Sequence, residues 1–293
     1  MQRVAFVGLG AMGEPMATNL LKKGFSVTIV GGRRPEPVER LKALGAKVAA
    51  SPAEAARDCD VAIVVLPSSK EVEAVVAGAN GLVEGMAKGS VVVDCTTADP
   101  ASTRMLGEKL AQKGVGFVDA GLTRGVAGAK AGTLAYFVGG EAADIEKAKP
   151  VLEAMGDTFF VMGPLGAGHA TKVLSNALSY ATVALVGEAL MLGGQSGIDQ
   201  AALQEALMAG AGSKALEAFG PRIIRREYTA PRVTIGNVCA HFGIAKSMAD
   251  ASATPLFVTS AAQEAYRWVA MRGHGADDMS SIAELWSTDE KKG

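Results

Sequence analysis

Cysteine is scarce in this chain, and its three copies, Cys59, Cys95 and Cys239, are odd in number and far apart. That excludes a disulfide framework and any zinc-type spacing, and it reads as reduced thiols in the core of a cytoplasmic protein. Histidine is equally thin: His169, His241 and His274 are dispersed, so no metal site is expected. Surplus charge is missing too, since 29 Lys and Arg against 30 Asp and Glu leave a net charge of -1. That balance predicts no nucleic-acid partner and no attachment to a membrane surface. The chain runs straight into an apolar stretch, Val4-Ala5-Phe6-Val7, with no basic segment or cleavage site of a secretory signal. A clean membrane-length apolar run is also lacking. The most apolar window, Ala177 to Gly194, is broken by Tyr180, Glu188 and three glycines, and reads as a core helix buried on all sides.

What is present is ample core material: 49% of the 293 residues are hydrophobic, enough for one large or two medium domains. Val4 to Val7 predicts a strand, followed at once by Gly8-Leu9-Gly10-Ala11-Met12-Gly13. A helical pattern from Pro15 through Lys23 and a second strand, Ser26 to Val30, complete a βαβ unit. A G-x-G-x-x-G carries meaning only in that context. Its first glycine permits the tight turn, the second lets backbone reach a pyrophosphate, and the third allows close helix–strand packing. The amide donors and dipole of the following helix favour phosphate. At the end of the second strand, where a carboxylate would accept from the ribose of NAD, the chain reads Gly31-Gly32-Arg33-Arg34-Pro35. Guanidinium groups suit a 2′-phosphate, so NADP is expected, with NAD as the alternative.

The alternation continues. Val61 to Leu66 and Ser90 to Cys95 read as buried strands, and Gly116 to Val118 leads to a strand end at Asp119-Ala120. Leu66, Pro67 and Thr97 fall at carboxyl ends of such strands, where ligands bind in parallel sheets. Thr133 to Val138 and Thr158 to Val161 extend the sheet, with a helix from Ala142 to Met155. Beyond residue 165 the pattern is helical throughout. The stretch Gly166-Ala167-Gly168-His169-Ala170-Thr171-Lys172 opens a helix on which Lys172 and Asn176 share a face, with Gly168 one turn earlier. Such a glycine lets another backbone or a flat ligand come close.

The run from Gly8 to Leu20, Leu66-Pro67, Asp94 to Pro100, Asp119 to Thr133, Gly166-x-Gly168-x-x-x-Lys172 and Lys246 together resemble the β-hydroxyacid dehydrogenases, in family order. That family includes 3-hydroxyisobutyrate dehydrogenase and tartronate semialdehyde reductase. The resemblance implies an α/β Rossmann-like N-terminal domain, here 1–164, and an all-α C-terminal domain, 165–293. It implies an active site in the cleft between them, with Lys172 as acid/base and Asn176 as a substrate ligand. Thr97 and Lys246 would lie near the nicotinamide, and the Asp119 segment would hold the substrate carboxylate. Two departures stand out. The family commonly reads Asp-Ala-Pro-Val-Ser-Gly-Gly, where this chain has Asp119-Ala120-Gly121-Leu122-Thr123-Arg124-Gly125, and Ser247 replaces the aspartate that often follows the second lysine.

The chemistry is consistent with that role. A lysine desolvated in a cleft beside a cationic nicotinamide loses its proton more readily, and can accept a hydroxyl proton or return one to an aldehyde. Thr123, Arg124 and Gly125 are expected to bind the substrate's acid group, through backbone donors and the Arg124 fork. Arginine in this loop also resembles some sulfolactaldehyde reductases of the family, which makes a sulfonate the alternative substrate. An imine reductase is similar in architecture but typically lacks the lysine, and a 6-phosphogluconate dehydrogenase usually has a far longer helical region. A non-catalytic NADP-binding protein would have no need of Lys172 and Asn176. His169 is read as a packing or surface residue, Asp199 as a helix cap, and Thr254-Pro255 as the start of a helix to Met271. The apolar helical half suggests a homodimer or homotetramer.

Overall fold

In the computed structural model, residues 2–32 and 34–287 are described. Eight strands form one sheet: β1 (Arg3–Val7), β2 (Ser26–Val30), β3 (Lys47–Ala49), β4 (Val61–Val64), β5 (Val91–Asp94), β6 (Gly116–Thr123), β7 (Leu134–Gly140) and β8 (Gly156–Gly163). Their order is β3-β2-β1-β4-β5-β6-β7-β8. Every pairing is parallel except β6 with β7, where Thr123 lies opposite Ala135. Continuous apolar runs in β4 and β5 are buried on both faces, because helices cover a parallel sheet on both sides. One apolar cluster joins Phe6, Met16, Leu20, Ile63 and Val93 on one face; another joins Ala62, Val64, Val92, Leu106 and Leu110 on the other.

The chain goes from β1 outward to β2 and β3, then returns to place β4 on the other side of β1. That reversal opens a crevice beyond the carboxyl ends of β1 and β4, the usual ligand position in such sheets. The strand expected to end at Asp119-Ala120 instead continues to Thr123, since the antiparallel partner β7 supplies hydrogen bonds over its whole second half. The short strand β3 gave no periodic signal in the sequence.

The chain divides between Lys172 and Val173 into two compact units. The helix Ala167–Gln195 begins in the first and continues through the second. In the second unit it is joined by helices Gln200–Ala211, Lys214–Ile224, Ile235–Ser252 and Phe257–Val269. Val173, Tyr180, Val183, Val238, Phe242, Tyr266 and Ile282 make this unit's core. Asp199 caps its helix by accepting from the Ala202 amide at 2.9 Å. The helix expected from Thr254-Pro255 starts at Phe257 and gives way after Val269 to a wider turn, Ala270–His274.

One expectation is corrected here. The long helix is not buried on all sides: Leu174, Leu178, Leu185 and Leu192 are 59% to 73% exposed. Their spacing puts them on a single stripe, opposite the face carrying Val173, Val183 and Leu190. Total hydrophobicity hid the stripe, since leucine is apolar on either side of a helix.

Candidate active site

The glycine turn after β1 follows from three local constraints. Gly8 has φ +105°, a left-handed conformation, and a Cβ there would collide with the Val65 carbonyl oxygen just beyond β4. A Cβ on Gly13 would strike the Gly8 carbonyl oxygen. Around Gly10, by contrast, nothing lies within 4 Å of a Cβ position, so its backbone is open to a ligand. Leu9 is buried, Ala11 exposed and Met12 packed on the core. The helix Gly13–Lys22 has Met12 as N-cap with no side-chain cap bond. The Glu14 amide already donates to the Gly10 carbonyl at 3.1 Å and Pro15 has no N–H, so an anion here would be favoured by the helix dipole and by the amides of the turn before it. These features fit a dinucleotide pyrophosphate.

Arg33 lies outside the described residues. Arg34 is exposed, and its charge acts on Glu14 in the first turn of that helix. The Arg40 guanidinium grips Glu14 with two bonds of 2.6 and 3.0 Å; that bond first, then the charges of Arg40, Arg34 and Lys130, holds the Glu14 carboxyl below its usual range. Across the switch point, the Leu66 amide donates to Thr96 Oγ1 at 3.1 Å, and the Thr96 amide donates to Asp94 Oδ1 at 2.9 Å. Leu66, the exposed Pro67 and half-buried Thr97 thus sit on adjoining loops at the ends of β4 and β5.

Lys172 projects from the start of the long helix, which the sheet holds closely. Gly168 admits two strands at once: a Cβ there would meet the Phe137 carbonyl and both the carbonyl and carboxylate of Asp119. The close partner is backbone. Gly121 in β6 likewise makes room for Lys172, whose Cβ would lie 2.6 Å from an added methyl carbon. The buried Asp119 carboxylate accepts from the amides of Gly166 at 2.7 Å and His169 at 2.6 Å, capping the helix from β6. His169 proves to be a buried packing residue: Nδ1 meets Thr103 Oγ1 at 2.8 Å, and Nε2 meets the Asp94 carbonyl oxygen at 3.1 Å. Burial pushes the Asp94 carboxyl up. Held this way, Lys172 is half-buried, and loss of water around its ammonium pushes its pKa down to about 8.

The turn between β6 and the helix Gly125–Ala131 is where the acid group was expected. Thr123 ends β6, Arg124 has φ +74° and Gly125 has φ +59°. For a residue with a Cβ such a backbone costs about 1–2 kcal/mol. Gly128 makes it possible, because an added Cβ there would lie 2.8 Å from Arg124 Cβ. The structure gives the Arg124 fork a use other than the expected one. Nη1 donates to the Thr133 carbonyl at 2.7 Å and to Asp157 Oδ1 at 2.6 Å, and Nη2 donates to Thr158 Oγ1 at 2.9 Å. Thr158 first, then Arg124, holds the Asp157 carboxyl below its usual range.

On the second unit's part of the helix, Asn176 is buried and its Nδ2 lies 3.2 Å from His241 Nδ1. Tyr180 Oη lies 2.9 Å from the same nitrogen, and the two rings stack at 5.9 Å. Lys246 is exposed on the helix Ile235–Ser252 and paired with Asp250 at 2.9 Å. Asp119 as a cap, the Asp157 partner of Arg124, and His241 beside Asn176 escaped the sequence reading, for each pairs with a residue at least 33 positions away. Among the described residues, no group of three or more His, Cys, Asp or Glu could hold a metal ion.

Residues 3–163 match the family described as the NAD binding domain of 6-phosphogluconate dehydrogenase. Residues 166–286 match the one described as NAD-binding of NADP-dependent 3-hydroxyisobutyrate dehydrogenase. The chain is 36% identical to the NAD-dependent L-serine dehydrogenase of Pseudomonas aeruginosa, over 98% of both chains. It is 32% identical to the mitochondrial 3-hydroxyisobutyrate dehydrogenase of Mus musculus, over 98% of this chain and 88% of that one. Among solved structures, Mycobacterium tuberculosis 3-hydroxyisobutyrate dehydrogenase with L-serine is similar at a TM-score of 0.88 and 26% identity, covering 97% of this chain and 98% of that one.

Proposed function

This chain belongs to the β-hydroxyacid dehydrogenase family, and from that premise we propose that it transfers hydride between NADP and a small 3-hydroxyacid or its semialdehyde, with Lys172 as the proton carrier. The observation that carries the reading is Lys172 itself, a half-buried amine with a pKa near 8 one helical turn before Asn176. Near neutral pH such a group is populated in both protonation states, which is what a general acid/base needs.

When bound, the dinucleotide supplies the hydride acceptor or donor. The uncapped helix Gly13–Lys22 and the open backbone at Gly10 would receive its pyrophosphate. Arg34, close to the first turn of that helix, favours a 2′-phosphate over a bare hydroxyl, as does Arg33 by its place in the sequence. In the oxidation direction the hydroxyl proton passes to the neutral Nζ of Lys172 as the carbon gives up its hydride, leaving an aldehyde. In reduction the ammonium returns that proton to the carbonyl oxygen. Asn176, one turn on, would hydrogen-bond the same substrate and fix its orientation. The turn Thr123–Gly125 would receive the acid group through its backbone.

The relatives support the substrate class. L-serine and 3-hydroxyisobutyrate both carry a carboxylate and a hydroxyl on the next carbon but one. The sulfonate alternative drew on a free Arg124 fork, and that fork is engaged by Asp157 and Thr158. Oxidation of L-serine, 3-hydroxyisobutyrate and L-threonate, each with NADP+ and NAD+, tests the reading. Turnover of at least one, faster with NADP+, is expected; no turnover of any short 3-hydroxyacid or its semialdehyde would refute it.

A further inference from the structure

We infer that Arg124 is a positioning residue: its guanidinium, tied to Asp157, Thr158 and the Thr133 carbonyl, braces the turn after β6 against β8, and so sets the backbone that receives the substrate's acid group. The inference rests on the reading above that this turn is the acid site.

Arg124 carries a left-handed backbone that glycine would adopt without strain, at the point where the chain leaves β6 for the helix Gly125–Ala131. A residue in this conformation persists only where its surroundings hold it. Here the holding groups are visible. Three donors of one planar fork reach three acceptors, one in the segment leading into β7 and two at the start of β8. Thr158 Oγ1 also donates to Asp157 Oδ1 at 2.6 Å, so the acceptors are themselves organised. Gly128 leaves space for the Arg124 Cβ, and Gly125 continues the left-handed turn. The pair is half-exposed, and such pairs contribute little to global stability. Its geometry does something else: it ties the turn between two antiparallel strands to the next strand of the sheet. A lysine could not replace it, because one ammonium does not present a planar fork to three acceptors.

Bracing and direct binding predict opposite results at Asp157. If Arg124 braces the turn, Asp157→Ala loosens it. If the fork binds the acid, Asp157→Ala releases the fork for that task. The test uses the full chain, Asp157→Ala, Arg124→Gly and the double variant, with KM and kcat for L-serine and 3-hydroxyisobutyrate oxidation. Amide hydrogen exchange of peptides spanning 122–132 is followed in parallel. Bracing predicts that each single variant raises the hydroxyacid KM about fivefold or more and leaves the dinucleotide KM within about twofold. The double variant should be no worse than the poorer single one, as expected for two residues acting as a unit. Exchange at 123–128 should accelerate in both single variants. An unchanged or lower KM in Asp157→Ala, with a raised KM in Arg124→Gly, would overturn bracing in favour of direct binding. Unchanged KM and exchange in both would overturn it outright. Were the wild-type chain to oxidise neither these acids nor any other short 3-hydroxyacid, the dehydrogenase reading would fail separately, while the exchange comparison would still decide whether Arg124 braces the turn.

Discussion

Lys172→Met removes the ammonium that the fold desolvates, and its consequences can be worked from the pKa. A drop from 10.5 to about 8 corresponds to roughly 3 kcal/mol at 1.36 kcal/mol per pH unit, caused by burial. Partial access to water makes that an upper figure. Because the folded pKa lies below the unfolded one, the unfolded chain binds more protons between about pH 8 and 10.5. Stability from this group therefore rises with pH across that window, and below pH 8 the full cost of burying the charge is present. Methionine, similar in length and uncharged, escapes the cost. Urea denaturation of the apoprotein at pH 7 should find Lys172→Met more stable than wild type by up to ~3 kcal/mol, with the gap closing by pH 10.5. Activity should move the other way, with turnover falling roughly 10²–10⁴-fold while dinucleotide binding persists. In the wild type, oxidation should rise with pH, reach half its maximum near pH 8 and level off about a unit above it, as the neutral amine accumulates. A variant that turns over at the wild-type rate, or a stability gap that stays constant from pH 7 to 10.5, would refute the reasoning.

Arg34→Ala should raise the KM for NADP+ severalfold more than that for NAD+, because only the former has a 2′-phosphate to lose; equal changes in steady-state assays would remove Arg34 from that role. Asp119→Ala should destabilise the first unit by about 3 kcal/mol or more, since two buried amides lose a charged acceptor. The midpoint of urea unfolding reads this, and a change under 1 kcal/mol would show that the cap is dispensable. The exposed stripe Leu174, Leu178, Leu185 and Leu192 should be covered by a second copy of the chain. Sedimentation equilibrium is expected to give a dimer or tetramer that Leu178→Glu weakens, and a wild-type monomer at micromolar concentration would exclude this.

By itself the sequence determined the strands β1, β2, β4 and β5 and the dinucleotide turn. Those signals are local: uninterrupted apolar runs make doubly buried strands, and Gly8 and Gly13 stand where a Cβ would strike backbone. That Lys172 and Asn176 share a helix face was legible for the same reason, since helical periodicity alone puts residues four apart on one face. Only the tertiary structure decided what surrounds them. Asp119 reads as the end of a strand until β7 pairs with β6, extends that strand and turns the carboxylate onto amides 47 and 50 residues ahead. Arg124 reads as a fork for the substrate's acid group until β8 brings Asp157 within 2.6 Å. His241 reads as an isolated imidazole until two helices place it against Asn176 and Tyr180. The direction of a long polar side chain is set by whichever partner the closed chain delivers, and that partner's distance in sequence leaves no periodic trace.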